Sequence, residues 1–251
     1  SVNYYDSYPP GAPIFNNILE QSPAPTLLTS TYTNYGNSVR SLKSLPTASF
    51  VNNIETNGWT KNYTFYDLKA RPFATYSFNY LGGYTKTESE LDFAGTPLKT
   101  FTFHKRLSAD PDIKVKERFE YNDHTNALVK HFHQVNDKPE VLLSQNTYNE
   151  IGQLETKNIG DGIQNIKYNY NIRGWMTGIN LDAAGNFQAA KLFNYKINYN
   201  NPLLGQALPN GDFATPVVPR WNGNIAEVAW RSNGQTNTEI YGYVYDKLNR
   251  L

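Results

Sequence analysis

The chain has 251 residues, 22 acidic against 23 basic side chains, a net charge of +1 and no cysteine. Lacking Cys, it has neither disulfide staples nor thiol chemistry; with only scattered cations, it offers no basic run of the kind that marks a nucleic-acid partner. Aromatic residues reach 14%, with 19 Tyr and 13 Phe, and Tyr, Thr, Asn and Gly displace the strong helix formers, which points to strands. No apolar run is long enough to cross a membrane as a helix.

Residues 1–45 read as an irregular Pro-rich lead-in or exterior loop. Tyr8-Pro9-Pro10-Gly11-Ala12-Pro13 and Ser22-Pro23-Ala24-Pro25 remove backbone donors and fix φ, so neither belongs in a central strand. Asn16–Gln21 is the one short helix candidate. From residue 46 to 251 a degenerate phrase returns, in which Asp or Asn opens a turn and Gly or Asn follows three residues later. In chain order the copies are Tyr66-Asp67-Leu68-Lys69-Ala70-Arg71, Leu91-Asp92-Phe93-Ala94-Gly95-Thr96 and Asp123-His124-Thr125-Asn126. Then come Tyr148-Asn149-Glu150-Ile151-Gly152-Gln153, Tyr170-Asn171-Ile172-Arg173-Gly174-Trp175, Leu181-Asp182-Ala183-Ala184-Gly185-Asn186 and Tyr245-Asp246-Lys247-Leu248-Asn249-Arg250.

An Asp or Asn side chain accepts hydrogen bonds from N–H groups two residues on. Gly or Asn tolerates the left-handed conformation that ends a three-residue hairpin loop. The spacing therefore encodes strand-turn-strand, and its recurrence encodes an array. Most intervals between copies suit two strands and two turns; that from Asn171 to Asp182 suits a single hairpin. Gly82-Gly83 reads as another hairpin tip. The long interval before Asp246 holds a Pro-rich inserted loop, residues 201–222, with Pro202, Pro209, Pro216 and Pro219. It lies between strands expected at Phe193–Tyr199 and Gly223–Trp230. In the last copy Tyr241, Tyr243 and Tyr245 share one strand face. Leu251 follows directly on a turn, so its return strand is expected beyond it and the chain reads as a segment of a longer polypeptide.

Residues with catalytic potential are sparse. Glu88/Glu90 and Asp110/Asp112 are paired carboxylates of the kind glycosidases use, and His131 with His133 puts two imidazoles on one strand face. Neither pattern brings a third group at recognisable spacing, and no nucleophile elbow, phosphate loop or zinc-helix motif is present. The expectation is a chain with no catalytic, cofactor or metal site. Trp175, Trp221 and Trp230 admit two readings: plugs in the wall, or platforms on which sugar rings stack.

The repeated phrases resemble the RHS/YD-repeat family. The likeness is carried by the Tyr66 and Tyr245 phrases and by longer stretches, Leu81–Gly95, Tyr170–Thr177 and Trp221–Trp230. Two departures stand out: Ala70 replaces the expected Gly, and an extra residue precedes the Asp123 turn. The resemblance implies an all-β fold, a coiled ribbon of antiparallel hairpins wound into a hollow shell that often encloses a toxic C-terminal domain. It implies as partners the remainder of the same polypeptide, an enclosed effector, and secretion-system or outer-membrane components. It implies a secreted or bacterial cell-surface location. Within that frame the turn residues Asp67, Asp92, Gly95, Asp123, Asn126, Asn149, Gly152, Asn171, Gly174, Asp182, Gly185, Asp246 and Asn249 are structural. A surface glycan-binding or adhesin-like module is the alternative function.

Overall fold

The computed structural model describes residues 1–19, 21, 24–31, 33–35, 38–203 and 217–251. Among them there is no helix; the chain is all-β and antiparallel. Its strands are β1 (Val2–Tyr5), β2 (Thr33–Tyr35), β3 (Ser38–Arg40), β4 (Pro46–Asn52), β5 (Trp59–Tyr66), β6 (Pro72–Phe78), β7 (Gly82–Leu91), β8 (Pro97–Leu107), β9 (Ile113–Tyr121) and β10 (Leu128–Val135). There follow β11 (Val141–Tyr148), β12 (Leu154–Ile159), β13 (Gln164–Tyr170), β14 (Met176–Ile179), β15 (Phe193–Asn198), β16 (Glu227–Ser232) and β17 (Glu239–Gly242). The chain divides into two compact units, Ser1–Leu143 and Ser144–Leu251, the division falling inside the stretch that the sequence reads as one repeat array.

In the first unit the sheet order is β1-β4-β5-β6-β7-β8-β9-β10, so every strand after β4 pairs with its successor. Such a meander follows from hairpin turns alone, because each strand is returned beside the previous one. The lead-in is tied into this sheet. Its first residues form β1, which pairs with β4 from Val2↔Phe50 to Tyr5↔Pro46, and β2 pairs with β3 in a separate two-stranded sheet. Between them the Pro-rich run crosses the sheet face. Phe15 packs its ring against Phe65, Phe73 and Tyr76, and Tyr8 stacks on Phe65 at 5.3 Å between centroids.

Together with Ala48, Tyr63 and Ala74 these rings make the main core. A second cluster buries Leu28, Leu42 and Tyr66. Each such side chain contributes roughly 1.5–3 kcal/mol when fully withdrawn from water. The lead-in therefore supplies a second layer, through Tyr8, Phe15, Leu28 and Leu42, to a sheet that would otherwise be one layer thick.

The helix expected at Asn16–Gln21 does not form. Asn17 takes φ +47°, outside helical space, and its side-chain amide bonds both the N–H and the carbonyl of Gln21 at 3.1 Å. A local side-chain closure has replaced the helical one. Glu20, Ser22, Pro23, Pro209 and Pro216, which figure in the sequence reading, lie outside the described residues.

The second unit runs β11 to β17 in chain order, with β11 entering through Ser144 to Tyr148. Among the described residues it buries few apolar side chains, Leu181, Ile197, Val217, Ala226, Val228 and Ala229, together with the polar Asn180, Asn194, Asn198 and Glu227. Asn180 ties three strands: its Oδ1 accepts from the Lys167 N–H of β13 while its Nδ2 donates to the Phe193 carbonyl of β15. Asn198 Nδ2 donates to Glu227 Oε1 at 2.7 Å. Asn180 and Asn198 hold register through hydrogen bonds rather than apolar bulk. Two strands are shorter than expected, β15 ending at Asn198 and β16 beginning at Glu227 instead of Gly223.

Candidate functional site

Seven turns share one geometry, opened by Asp67, Asn79, Asp92, Asn149, Asn171, Asp182 and Asp246. In each, the opener's N–H donates to the carbonyl four residues on, and the N–H three residues on donates back to the opener's carbonyl. The opener's Oδ1 accepts from the N–H four residues on and from one nearer N–H, at 2.7–3.2 Å across the set. The residue three after the opener has positive φ: Ala70 63°, Gly82 81°, Gly95 102°, Gly152 79°, Gly174 79°, Gly185 80° and Asn249 65°. At Tyr66, Leu91, Tyr148 and Tyr170, the residue just before the opener, the strand register slips by one. That combination is a three-residue loop closed by a bulge.

The sequence reading placed one opener a residue late. In the turn between β9 and β10 the side chain that accepts from His124 and Thr125 is Asn122, and Asp123 is an exposed residue inside the loop. The Asn122 N–H reaches Ala127, so this loop is one residue longer, with Asn126 left-handed at 54°. Asn53 opens a turn of the same longer kind, with Asn57 at 54°.

Two further devices accompany the turns. The Tyr that ends a strand donates its hydroxyl to the carbonyl that begins the preceding strand. The pairs are Tyr66 to Pro46, Tyr121 to Pro97 and Tyr170 to Leu154, at 2.8–2.9 Å, and Tyr245 to Ile225 repeats the arrangement. Burial pushes the Tyr66, Tyr121 and Tyr170 hydroxyls above their ordinary pKa. Several tips are also fastened to a neighbouring tip. Arg71 pairs with Asp67 at 2.7 Å and donates to the Asp92 and Phe93 carbonyls; Lys69 donates to Phe93 and lies over its ring. Gln153 Nε2 donates to the Gly174 carbonyl at 2.8 Å, and Asn126 to Thr96 Oγ1.

Two of the three candidate tryptophans line one pocket. Trp175, Trp221, Tyr199, Arg173 and Arg220 line a pocket of about 170 Å³ beside the Asn171 turn. Trp175 rests on Gly223, where a Cβ would stand 3.3 Å from the indole, and packs at 5.1 Å on Tyr199. Arg173 holds the Trp221 carbonyl at 2.8 Å and lies over Trp175. Trp221 is 65% exposed. Trp230 stands elsewhere, on β16 between Tyr195 and Glu239, and does not join them.

The acidic pairs are dispersed. Glu88 is fully buried, taking the Tyr76 hydroxyl and the Leu19 N–H, while Glu90 pairs with Lys99 at 2.9 Å. Asp110 accepts from the Leu107 N–H, and Asp112 from the Tyr84 hydroxyl, whose pKa burial and this carboxylate push up to about 12. His131 bonds Glu117 at 2.9 Å and stacks on Phe119. Among the described residues no three His, Asp or Glu side chains converge as metal ligands.

No family model and no curated protein matches the chain. Among solved structures it is similar to a chain in the crystal structure of TcdB2-TccC3-Cdc42, with 9% identity and a TM-score of 0.40, over 85% of this chain. The chain spans 11% of that one.

Proposed function

We propose that this chain is a wall segment of a large RHS/YD-repeat polypeptide, a non-catalytic structural piece whose β-shell encloses or carries a cargo such as a C-terminal effector. The observation that supports this is the use to which the recurrent residues are put. Openers close turns, tyrosines staple strand starts, and basic or amide side chains fasten one tip to the next. An array so built extends by repetition, and each added row protects the edge of the one before. Its partners would be the remainder of its own polypeptide, the enclosed effector, and the secretion-system or outer-membrane components that place it outside the bacterial cell.

The test is the behaviour of the segment without its neighbours. Light scattering after size exclusion should show oligomers or precipitation, because outer strand edges and their tyrosines are left open. A monodisperse, monomeric chain with a high melting temperature would overturn the proposal.

The Trp175–Trp221 pocket supports the alternative, a glycan-binding module, since an exposed indole beside two arginines suits a sugar ring. Binding on a glycan array that disappears in both Trp175→Ala and Trp221→Ala would favour it. Absence of binding by the folded wild-type chain would remove it.

A further inference from the structure

The register of the first unit brings together side chains that are far apart in the sequence. Three cross-strand rows stand on one face of the sheet. The first is Phe50–Lys61–Phe78–Tyr84–Lys105, running from β4 to β8. The second is Tyr63–Tyr76–Lys86–Phe103–Lys114, from β5 to β9. The third is Phe65–Ala74–Glu88–Phe101–Lys116–Gln134, from β5 to β10. Over β5–β7 this face is the one the lead-in covers, through Phe15 on Tyr76 and the Leu19 N–H on Glu88. Beyond that the side chains are half-exposed and alternate lysine with aromatic ring.

Lys86 lies 4.9 Å from the Tyr84 ring centre, Lys105 5.2 Å from the same ring, Lys114 5.7 Å from Phe103, Lys116 4.8 Å from Phe101 and Lys61 5.4 Å from Phe50. The carboxylates nearby are engaged. Glu90 pairs with Lys99, Glu120 with Arg118 and Lys130, and Glu140 with Arg118; Glu88 is buried and Asp112 holds Tyr84. Among the described residues none of Lys61, Lys86, Lys105, Lys114 and Lys116 has a carboxylate partner, and Lys105 donates only to the Ser108 carbonyl.

We infer that this open lysine–aromatic face of β7–β10 is a docking surface for an acidic polypeptide segment, laid across the strands as the lead-in is laid across β5–β7. Charge selects the partner: the four unmatched ammonium groups of Lys86, Lys105, Lys114 and Lys116 on this stretch attract carboxylates and repel cations. The lead-in shows that this face accepts an extended chain with apolar side chains between the rows. A nucleic acid fits less well, because single strands bind by stacking bases on free aromatic faces, and here those faces are already covered by ammonium groups.

The experiment uses the whole 251-residue chain, immobilised so that self-association does not compete. The probe is a fluorescent peptide of alternating glutamate and leucine, run against its lysine counterpart and a labelled oligothymidine. The glutamate peptide should bind, weaken as salt is raised, and lose about tenfold in affinity when Lys105, Lys114 and Lys116 are all changed to Gln, the sum of a few half-exposed pairs. Circular dichroism of the triple variant should match wild type, since these lysines sit at the surface. Equal binding of glutamate and lysine peptides, an unchanged affinity in the folded triple variant, or tighter binding of the oligothymidine would each overturn the inference. None of these results depends on whether the parent polypeptide is a shell.

Discussion

Three glycines make the turn geometry measurable, because replacing each by Ala tests a different physical cost. At Gly152 a Cβ would have nothing within 4 Å, so the only penalty is holding an L-residue at φ +79°, about 1 kcal/mol. Gly174 has the same φ, but its Cβ would come 3.2 Å from Gln153 Nε2, the donor to the Gly174 carbonyl. Disturbing that half-exposed bond adds about 0.5–1.5 kcal/mol to the conformational term. Gly83 lies between the Gly82↔Leu107 and Tyr84↔Lys105 pairs of β7 and β8, and its Cβ would lie 2.1 Å from the Arg106 carbonyl oxygen and 2.3 Å from that of Lys105. Both are backbone, so no rotamer change relieves the clash and β8 must move. The cost there should be about 3 kcal/mol or more.

Urea unfolding followed by circular dichroism, comparing midpoints at constant slope, should rank the variants Gly152→Ala, Gly174→Ala, Gly83→Ala in increasing damage. Gly152→Asn is the control. Asn249 fills the equivalent place at φ 65°, so this change should cost no more than about 0.5 kcal/mol. A Gly83→Ala variant as stable as Gly152→Ala would refute the close approach of the two strands. An undamaged Gly152→Val, where about 1–3 kcal/mol is expected, would refute the left-handed turn.

Other outcomes follow from the same contacts. Tyr66→Phe removes the hydroxyl with which a buried tyrosine holds the Pro46 carbonyl in a half-buried bond and should cost about 0.5–1.5 kcal/mol, whereas Tyr245→Phe, on a less buried ring, should cost no more; unfolding midpoints compare the two. Glu88→Gln presents an NH₂ group to one of two donors, the Tyr76 hydroxyl or the Leu19 N–H. It should destabilise by about 1–3 kcal/mol and make the lead-in the first site cut in limited proteolysis. The N–H groups of Thr96, Asn186 and Arg250 hold the Asp92, Asp182 and Asp246 carboxyls below their ordinary pKa. Each therefore favours the folded chain above the unfolded value of about 3.9 and loses that contribution as pH falls through its lowered folded value. Midpoints measured from pH 6 down to pH 3 should drop at the acid end, and less steeply in Asp92→Asn.

The turns were legible because their chemistry is local. An opener and a left-handed residue three places later are bound to each other by bonds within five residues, so the chain must write both down together. Where the spacing changes, legibility fails in a definite way. Asn53 and Asn122 open loops one residue longer, so the left-handed Asn57 and Asn126 fall outside the expected interval. In the second case Asp123 occupied the expected place and took the assignment from its neighbour. Asn79 fits the spacing, with Gly82 three places on, but the sequence reading takes only Gly82-Gly83 as the tip. The tyrosine staples were invisible for another reason: Tyr66 and Pro46 are twenty residues apart, and nothing local marks the carbonyl that will need a donor.

The faces of the sheet illustrate the same limit more fully. Alternation along β8 tells which residues share a side of that strand, and no more. Whether Phe103 will have Lys86 on one flank and Lys114 on the other depends on two independent registers, each set by the loop that precedes it. A loop longer by one residue would turn the whole row over, replacing lysines and rings with the Thr85–His104 and Thr87–Thr102 pairs of the opposite face. The bulges beside the Asp67, Asp92, Asn149 and Asn171 turns therefore help decide which chemistry each side of the sheet presents. Deleting His124 from the longer Asn122 loop would be expected either to unfold the β9–β10 hairpin or to shift the register of β10. In the second case Arg118 would lose its place over the Phe132 ring at 3.8 Å, and quenching of the His131–Phe119 stack in aromatic NMR contacts would report it. A folded variant that kept both contacts would show that register is set by side-chain packing across the strands, and that the turns only follow.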